Sequence, residues 1–289
     1  MITTLKAPYT PWNHMMNMFF STPSDYEQNT KELYPVILFF HGKGEIGTDI
    51  NKVLSMYLPK LAANGDIVGV TPEGVSKKFI IIGGQDQYWS PYPPNFRTAL
   101  KYVVDTYKLR VDPNRIYVTG LSAGGQTSLM YGCLDDTFIG KVTAIASLSP
   151  SEIEQKAFDN LPKLGNAKTP VLFWSGSTDG MTDNAKEYTT IINNNKGNAK
   201  TVVFSGGHCC WDYVYTKKVK FKSVDGTKDL NLYDWFLQFS LDTTVEPEPP
   251  TVPEKKYIFT ATLDKLPEAY PVSITLSDGT KIDIKLTIQ

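Results

Sequence analysis

The chain has 289 residues, enough for one large domain or for one domain with an accessory piece. Its 29 Lys and Arg against 30 Asp and Glu leave a formal net charge of -1, so no global field draws in nucleic acid or an anionic membrane. The longest apolar run, Pro35 to Phe40, is too short to span a bilayer. Nucleic-acid and membrane partners are therefore not expected.

The first residues, Met1 to Met18, are broken by Pro8, Pro11, Asn13 and His14 and offer no signal-peptide core. Apolar β-rich runs then alternate with helix-period segments from about residue 35 to 240. Strands are predicted at Tyr34 to Phe40, Phe79 to Ile82, Arg115 to Thr119, Val142 to Ser149, Pro170 to Trp174 and Ala199 to Phe204. Several are apolar on both faces, as strands covered by helices on both sides must be. Between Asn95 and Tyr107, the residues Phe96, Ala99, Leu100, Val103, Val104 and Tyr107 form one apolar helical stripe. The segment Val111-Asp112-Pro113-Asn114 is read as the turn that follows. Further helices are predicted at Ala123 to Gly132, Thr182 to Asn193 and Asp229 to Phe239. Alternating strand and helix implies an α/β fold on a mostly parallel sheet with helices on both faces.

After residue 241 the character changes. Residues 242-256 carry Pro247, Pro249, Pro250 and Pro253 and read as a stiff extended linker. Residues 257-289 have period-two patterning in three runs: Tyr257 to Leu263, Val272 to Leu276 and Ile282 to Ile288. Asp278-Gly279 is a hairpin turn between the last two. Three strands are marginal alone, so this small C-terminal β module is expected to contact the main domain, another copy or an unseen partner.

The chemistry-bearing motif is Gly120-Leu121-Ser122-Ala123-Gly124, placed between a predicted strand and a predicted helix. A turn this sharp strains Ser122 and aims its hydroxyl off the carboxyl edge of the sheet. The Ala123 amide, at a helix N-terminus, points where negative charge would develop. A hydroxyl at its ordinary pKa needs a base. The partners of such an elbow follow in the order Ser, acid, His, and of His14, His41 and His208 only His208 comes after Ser122. The acid belongs after an intervening strand, where Asp179 stands; Asp183 competes but reads as first-turn helix. A second oxyanion donor is expected in His41-Gly42-Lys43-Gly44-Glu45, with the Lys43 amide first and Gly44 second. His41 itself reads as structural. A phosphate loop is disfavoured because Thr48 stands where that motif needs Lys.

Together, Phe40-His41-Gly42-Lys43-Gly44-Glu45-Ile46-Gly47, the Ser122 pentapeptide, Gly176-Ser177-Thr178-Asp179 and Gly207-His208-Cys209-Cys210-Trp211 resemble the α/β-hydrolase superfamily. Within it the chain is similar to the polyhydroxyalkanoate depolymerase and feruloyl esterase group, which shades into "predicted peptidase" and carboxylesterase proteins. The resemblance covers about residues 30 to 240 and implies serine ester hydrolysis without a cofactor. Many relatives carry a leader peptide, and Gly84-Gln85-Asp86-Gln87 only loosely matches their strand-end Pro-Gln segment.

Around this centre, Trp89 and Tyr92 in a Pro-rich loop, Trp211 beside the proposed base, and Glu45 are candidate substrate-binding residues; the aromatics could stack on a sugar ring or an aromatic acyl group. Cys209 and Cys210 are read as buried inert thiols. No cluster has metal spacing. The expected function is a serine carboxylic-ester hydrolase on small or polysaccharide-linked acyl esters, acetyl or feruloyl in type. A peptidase on the same triad and a non-catalytic scaffold are the alternatives. The compartment stays open: the missing leader suggests cytoplasm, while the linker with its β module suggests export or assembly.

Overall fold

The computed structural model describes residues 2-9, 14-241, 271-275 and 281-285. The chain separates into two compact units, Met1–Thr244 and Val245–Gln289.

The first unit is built on an eight-stranded sheet. In chain order the strands are β1 (Ile2–Tyr9), β2 (His14–Ser21), β3 (Tyr34–Phe40), β4 (Ile80–Gln85), β5 (Val111–Leu121), β6 (Ala144–Leu148), β7 (Val171–Gly176) and β8 (Ala199–Phe204). Their spatial order is β1-β2-β4-β3-β5-β6-β7-β8. The strands from β3 to β8 run parallel, and β1 and β2 are antiparallel.

Alternation along β3 explains the continuous apolar run. Val36, Leu38 and Phe40 enter the core on one face, while Ile37 and Phe39 enter the core on the other. The first face is covered by α2 (Pro93–Tyr107), α3 (Ala123–Cys133) and α4 (Thr182–Asn194). The second is covered by α1 (Tyr57–Asn64) and α5 (Leu232–Phe236). Both faces are thus dry, as a parallel sheet requires.

Several predicted boundaries move. Helix α2 begins at Pro93-Pro94, where missing amide protons cost nothing, and ends on Lys108 at φ 51. Val111 to Asn114 are not the turn: they open β5, which pairs Val111 with Tyr34 across an irregular register. The last helix is shorter than predicted, and it starts late because the Asn231 side chain caps it, accepting from the Tyr233 and Asp234 amides. The hairpin of β1 and β2 was not expected. It is held by Ala7, Met16, Met18 and Phe20, all buried in the first core face.

In the second unit, residues Pro271–Thr275 and Lys281–Lys285 form an antiparallel pair that joins Val272 to Ile284 and Ile274 to Ile282. The proposed linker, the run from Tyr257 to Leu263 and the Asp278-Gly279 turn lie outside the described residues.

Candidate active site

The site is assembled at the carboxyl ends of the parallel strands. Ser122 stands between β5 and α3 with φ 55 and ψ -120, a region that L side chains seldom occupy. The flanking glycines permit this by close packing. A β-carbon on Gly124 would lie 2.0 Å from the Phe40 carbonyl oxygen, and one on Gly120 would lie 2.5 Å from it. Only bare backbone lets α3 start this close to β3.

The Ser122 Oγ lies 2.9 Å from His208 Nε2. On the other side of the ring, His208 Nδ1 lies 3.0 Å from Asp179 Oδ2. The Asp179 side chain is 1% exposed, whereas the His208 ring reaches solvent. The loops bearing these two residues touch: a β-carbon on Gly176, at the end of β7, would lie 2.3 Å from the carbonyl oxygens of both Gly206 and Gly207.

Burial pushes the Asp179 carboxyl up, but the Met181 amide, the His208 ring and the Ser149 hydroxyl outweigh it, and the net shift is below the ordinary carboxylate value. The carboxylate is therefore ionised and oriented, with one oxygen held by the Met181 N–H at 3.0 Å and the other by the imidazole. Asp183, the competing acid, is 93% exposed and pairs with Lys186 on the surface of α4.

Ser149 was not singled out from the sequence. It lies just past β6, fully buried, with φ 47. Its Oγ accepts the Trp211 indole N–H at 3.1 Å, and it also bonds the Asp179 carboxyl. Trp211 itself stands edge-on to the His208 ring, with centroids 4.9 Å apart, and against Tyr57.

Ala123 is the first residue of α3, so no intrahelical carbonyl reaches its amide. Lys43, Gly44 and Glu45 form a single helical turn. Gly42 brings that turn against the residue before Ser122, since a β-carbon there would lie 2.8 Å from Leu121 Cδ1. His41 lies buried beneath it, with Nδ1 2.7 Å from the Gly42 carbonyl and Nε2 3.4 Å from the Asp86 N–H. Desolvation lowers the His41 pKa, so the ring is neutral and donates from Nδ1. Gln85 props the same loop, donating to the Glu45 and Asp49 carbonyls at 2.8 and 2.9 Å. Glu45 is half-buried, its Oε2 without a hydrogen-bond partner. Burial raises its carboxyl pKa, against the backbone bonds of Gly42 and Glu45.

Trp89 and Tyr92 line a cavity of about 580 Å³ that also takes in Gln126, one turn along α3 from Ser122. Trp211 and Glu45 do not line it. Cys209 and Cys210 are not buried free thiols: they are half-buried and bonded to each other, with Cys210 at φ 65. Adjacency made this pairing possible where the spacing of a larger framework could not. Cys133 is the buried free thiol. Among the described residues no group of three His, Cys, Asp or Glu side chains could hold a metal ion, and no helix is long and apolar enough to cross a membrane.

No protein-family model matches the chain, and no curated protein matches it. Solved structures do. A thermostable esterase is similar over 83% of this chain and 63% of its own length, at 15% identity and a TM-score of 0.59. A ferulic acid esterase is similar over 75% of this chain and 93% of its own, at 17% identity and a TM-score of 0.55. A Bacteroides ovatus protein described as a candidate dipeptidyl aminopeptidase IV is similar over 73% of this chain and 33% of its own, at 12% identity and a TM-score of 0.52. The chain thus spans less than two thirds of the thermostable esterase. With the strand order above and these likenesses, the chain has the α/β-hydrolase fold.

Proposed function

We propose that the protein is a serine ester hydrolase. In this reading Ser122 is the nucleophile, His208 the general base, and Asp179 the group that fixes the imidazole tautomer and stabilises imidazolium. The observation that supports it most is the unbroken hydrogen-bonded series from Ser122 Oγ through His208 to the buried Asp179, on a nucleophile at φ 55. A strained serine paired to an oriented imidazole has no evident packing role.

The reaction would run in two halves. Ser122 Oγ attacks the ester carbonyl as His208 Nε2 takes its proton. The oxyanion rests on the amides of Ala123 and Lys43, with Gly44 the second choice for the latter; losing one such donor costs about 10²–10³ in turnover. His208 then protonates the leaving alcohol. Water attacks the acyl-enzyme by the same route in reverse and frees Ser122. The substrate class proposed is an acyl ester of carbohydrate, acetyl or feruloyl in type, which the half-exposed aromatics Trp89 and Tyr92 and the likeness to a ferulic acid esterase favour.

A panel of p-nitrophenyl esters with the native protein and Ser122→Ala tests the reading. Turnover should fall by about 10⁴-fold or more in the variant, and a fluorophosphonate should label Ser122. Equal turnover in the two proteins removes Ser122 from the mechanism. Release of amine from short peptides, without cleavage of matched esters, selects a peptidase instead. Failure of labelling in folded protein favours a non-catalytic scaffold.

A further inference from the structure

The cavity that Gln126 lines, one turn of α3 from Ser122, has a wall that the sequence did not announce. The paired hairpin residues Tyr9 and His14 line it, their rings 5.9 Å apart. The same cavity is lined by three aromatics of the loop after β4: Tyr88, Trp89 and Tyr92, exposed to 78%, 40% and 39%. Exposed rings clustered on one cleft are costly in water and mark a binding surface.

The cleft is also preorganised. Trp89 Nε1 donates to Gln126 Oε1 at 2.8 Å, and Gln126 Nε2 in turn donates to the Glu152 carbonyl. The aromatic platform is therefore tied to α3, the helix that follows Ser122. Asp86 is held at the base: its N–H faces His41, its carbonyl accepts the Gly47 N–H at 3.0 Å, and its Oδ1 accepts the Tyr88 N–H at 3.0 Å. The cleft is thus joined to both the helix of Ser122 and the Gly42-to-Gly47 loop.

Its charge is one-sided. Asp86 and Glu154 line it, and no Lys or Arg does. Flat aromatic faces beside carboxylates and an amide are what a sugar ring needs: its C–H face stacks on the rings and its hydroxyls donate to the oxygens. An acidic sugar would set its own carboxylate against two others, with no Lys or Arg in the lining to offset them and only the His14 imidazole nearby.

We propose that this cleft is a subsite for the carbohydrate part of the substrate that selects neutral over acidic sugars, with Tyr9 and His14 of the N-terminal hairpin forming one wall. The proposal rests on the reading of the chain as a carbohydrate-ester hydrolase and narrows it.

The probes are methyl glucoside and methyl glucuronide, each acetylated at the same ring hydroxyl, so that they differ by a hydroxymethyl group against a carboxylate. Binding is read by tryptophan fluorescence in the Ser122→Ala protein, and kcat/KM in the native one. The neutral probe should bind about tenfold more tightly. Glu154→Gln should narrow the ratio about threefold, and Asp86→Asn with Glu154→Gln should bring it near unity. Trp89→Ala should weaken both probes about equally, with Trp89→Phe recovering most of the loss.

Equal binding of the two probes, or a ratio unmoved by Glu154→Gln and by the double variant, overturns the subsite. So does displacement of the glucoside by methyl ferulate at equal concentration, which would give the cleft to the acyl group. Selective binding by the native protein, with every acetyl group left intact, keeps the subsite and defeats the hydrolase reading instead.

Discussion

The indole N–H of Trp211 donates to the Ser149 hydroxyl at 3.1 Å, and that same hydroxyl bonds the Asp179 carboxyl. Trp211 is thereby linked to Asp179 through Ser149 while its ring stands edge-on to the imidazole of His208. Ser149→Ala should leave the half-buried indole N–H and one buried carboxylate lone pair without a partner, costing about 1–2 kcal/mol of stability. A loosened acid should lower kcat/KM on p-nitrophenyl acetate about tenfold to hundredfold. Urea unfolding and steady-state rates check both, and an unchanged rate with the stability loss present would make Ser149 purely structural.

Asp179 and Asp183 are separable by one pair of variants. Asp179→Asn would hold the ring in the wrong tautomer and should lower kcat by about 10⁴-fold. Asp183→Asn removes a solvent-facing carboxylate and should alter kcat less than about twofold. The opposite pattern would move the acid to α4.

Asp179 also predicts a pH signature. Its folded-state carboxyl titrates below the ordinary 3.8, so the unfolded chain takes up the proton first. The associated stability is fully present above that ordinary value and is lost as pH falls through the lower folded-state value. The unfolding free-energy difference between native protein and Asp179→Asn should therefore be flat from about pH 7 to 5 and shrink below about pH 4. Urea titrations at three pH values decide it; a difference that grows on acidification contradicts the shift.

Gly124→Ala places a β-carbon 2.0 Å from the Phe40 carbonyl oxygen, with rigid backbone on both sides. It should destabilise the fold by more than about 3 kcal/mol. Gly65→Ala, with nothing within 4 Å and an extended backbone, should change stability by less than about 0.5 kcal/mol. Thermal or urea unfolding of the two variants gives the comparison directly.

Every residue of the proposed catalytic group lies in Met1–Thr244. A chain ending after Asp242 should keep kcat/KM on p-nitrophenyl acetate within a few-fold of the full-length value. Complete loss of turnover in a folded truncated protein would assign the last residues to catalysis.

Where sequence and structure agree, the signal was local. The Ser122 elbow is written as glycines on each side of one serine, and both strand faces of Val36 to Phe40 are apolar. The hairpin of β1 and β2 was hidden because Pro8, Pro11 and Asn13 read as breaks, although alternation at Met16, Met18 and Phe20 carried the strand pattern. Ser149 gave no sign, since a lone serine at a strand end acquires meaning only when Trp211 and Asp179 arrive from distant segments. That Asp86 and Glu154 line one cleft was hidden for the same reason: shared lining is a property of the fold, not of spacing along the chain.

The contact of Gly176 with the Gly206 and Gly207 carbonyls makes the tips of two neighbouring strands behave as one joint. A breathing motion that lifts the end of β7 must carry the next loop along with it. The separation of Asp179 from His208 is then governed by backbone meeting backbone, and it should hold steady while the exposed imidazole edge samples solvent.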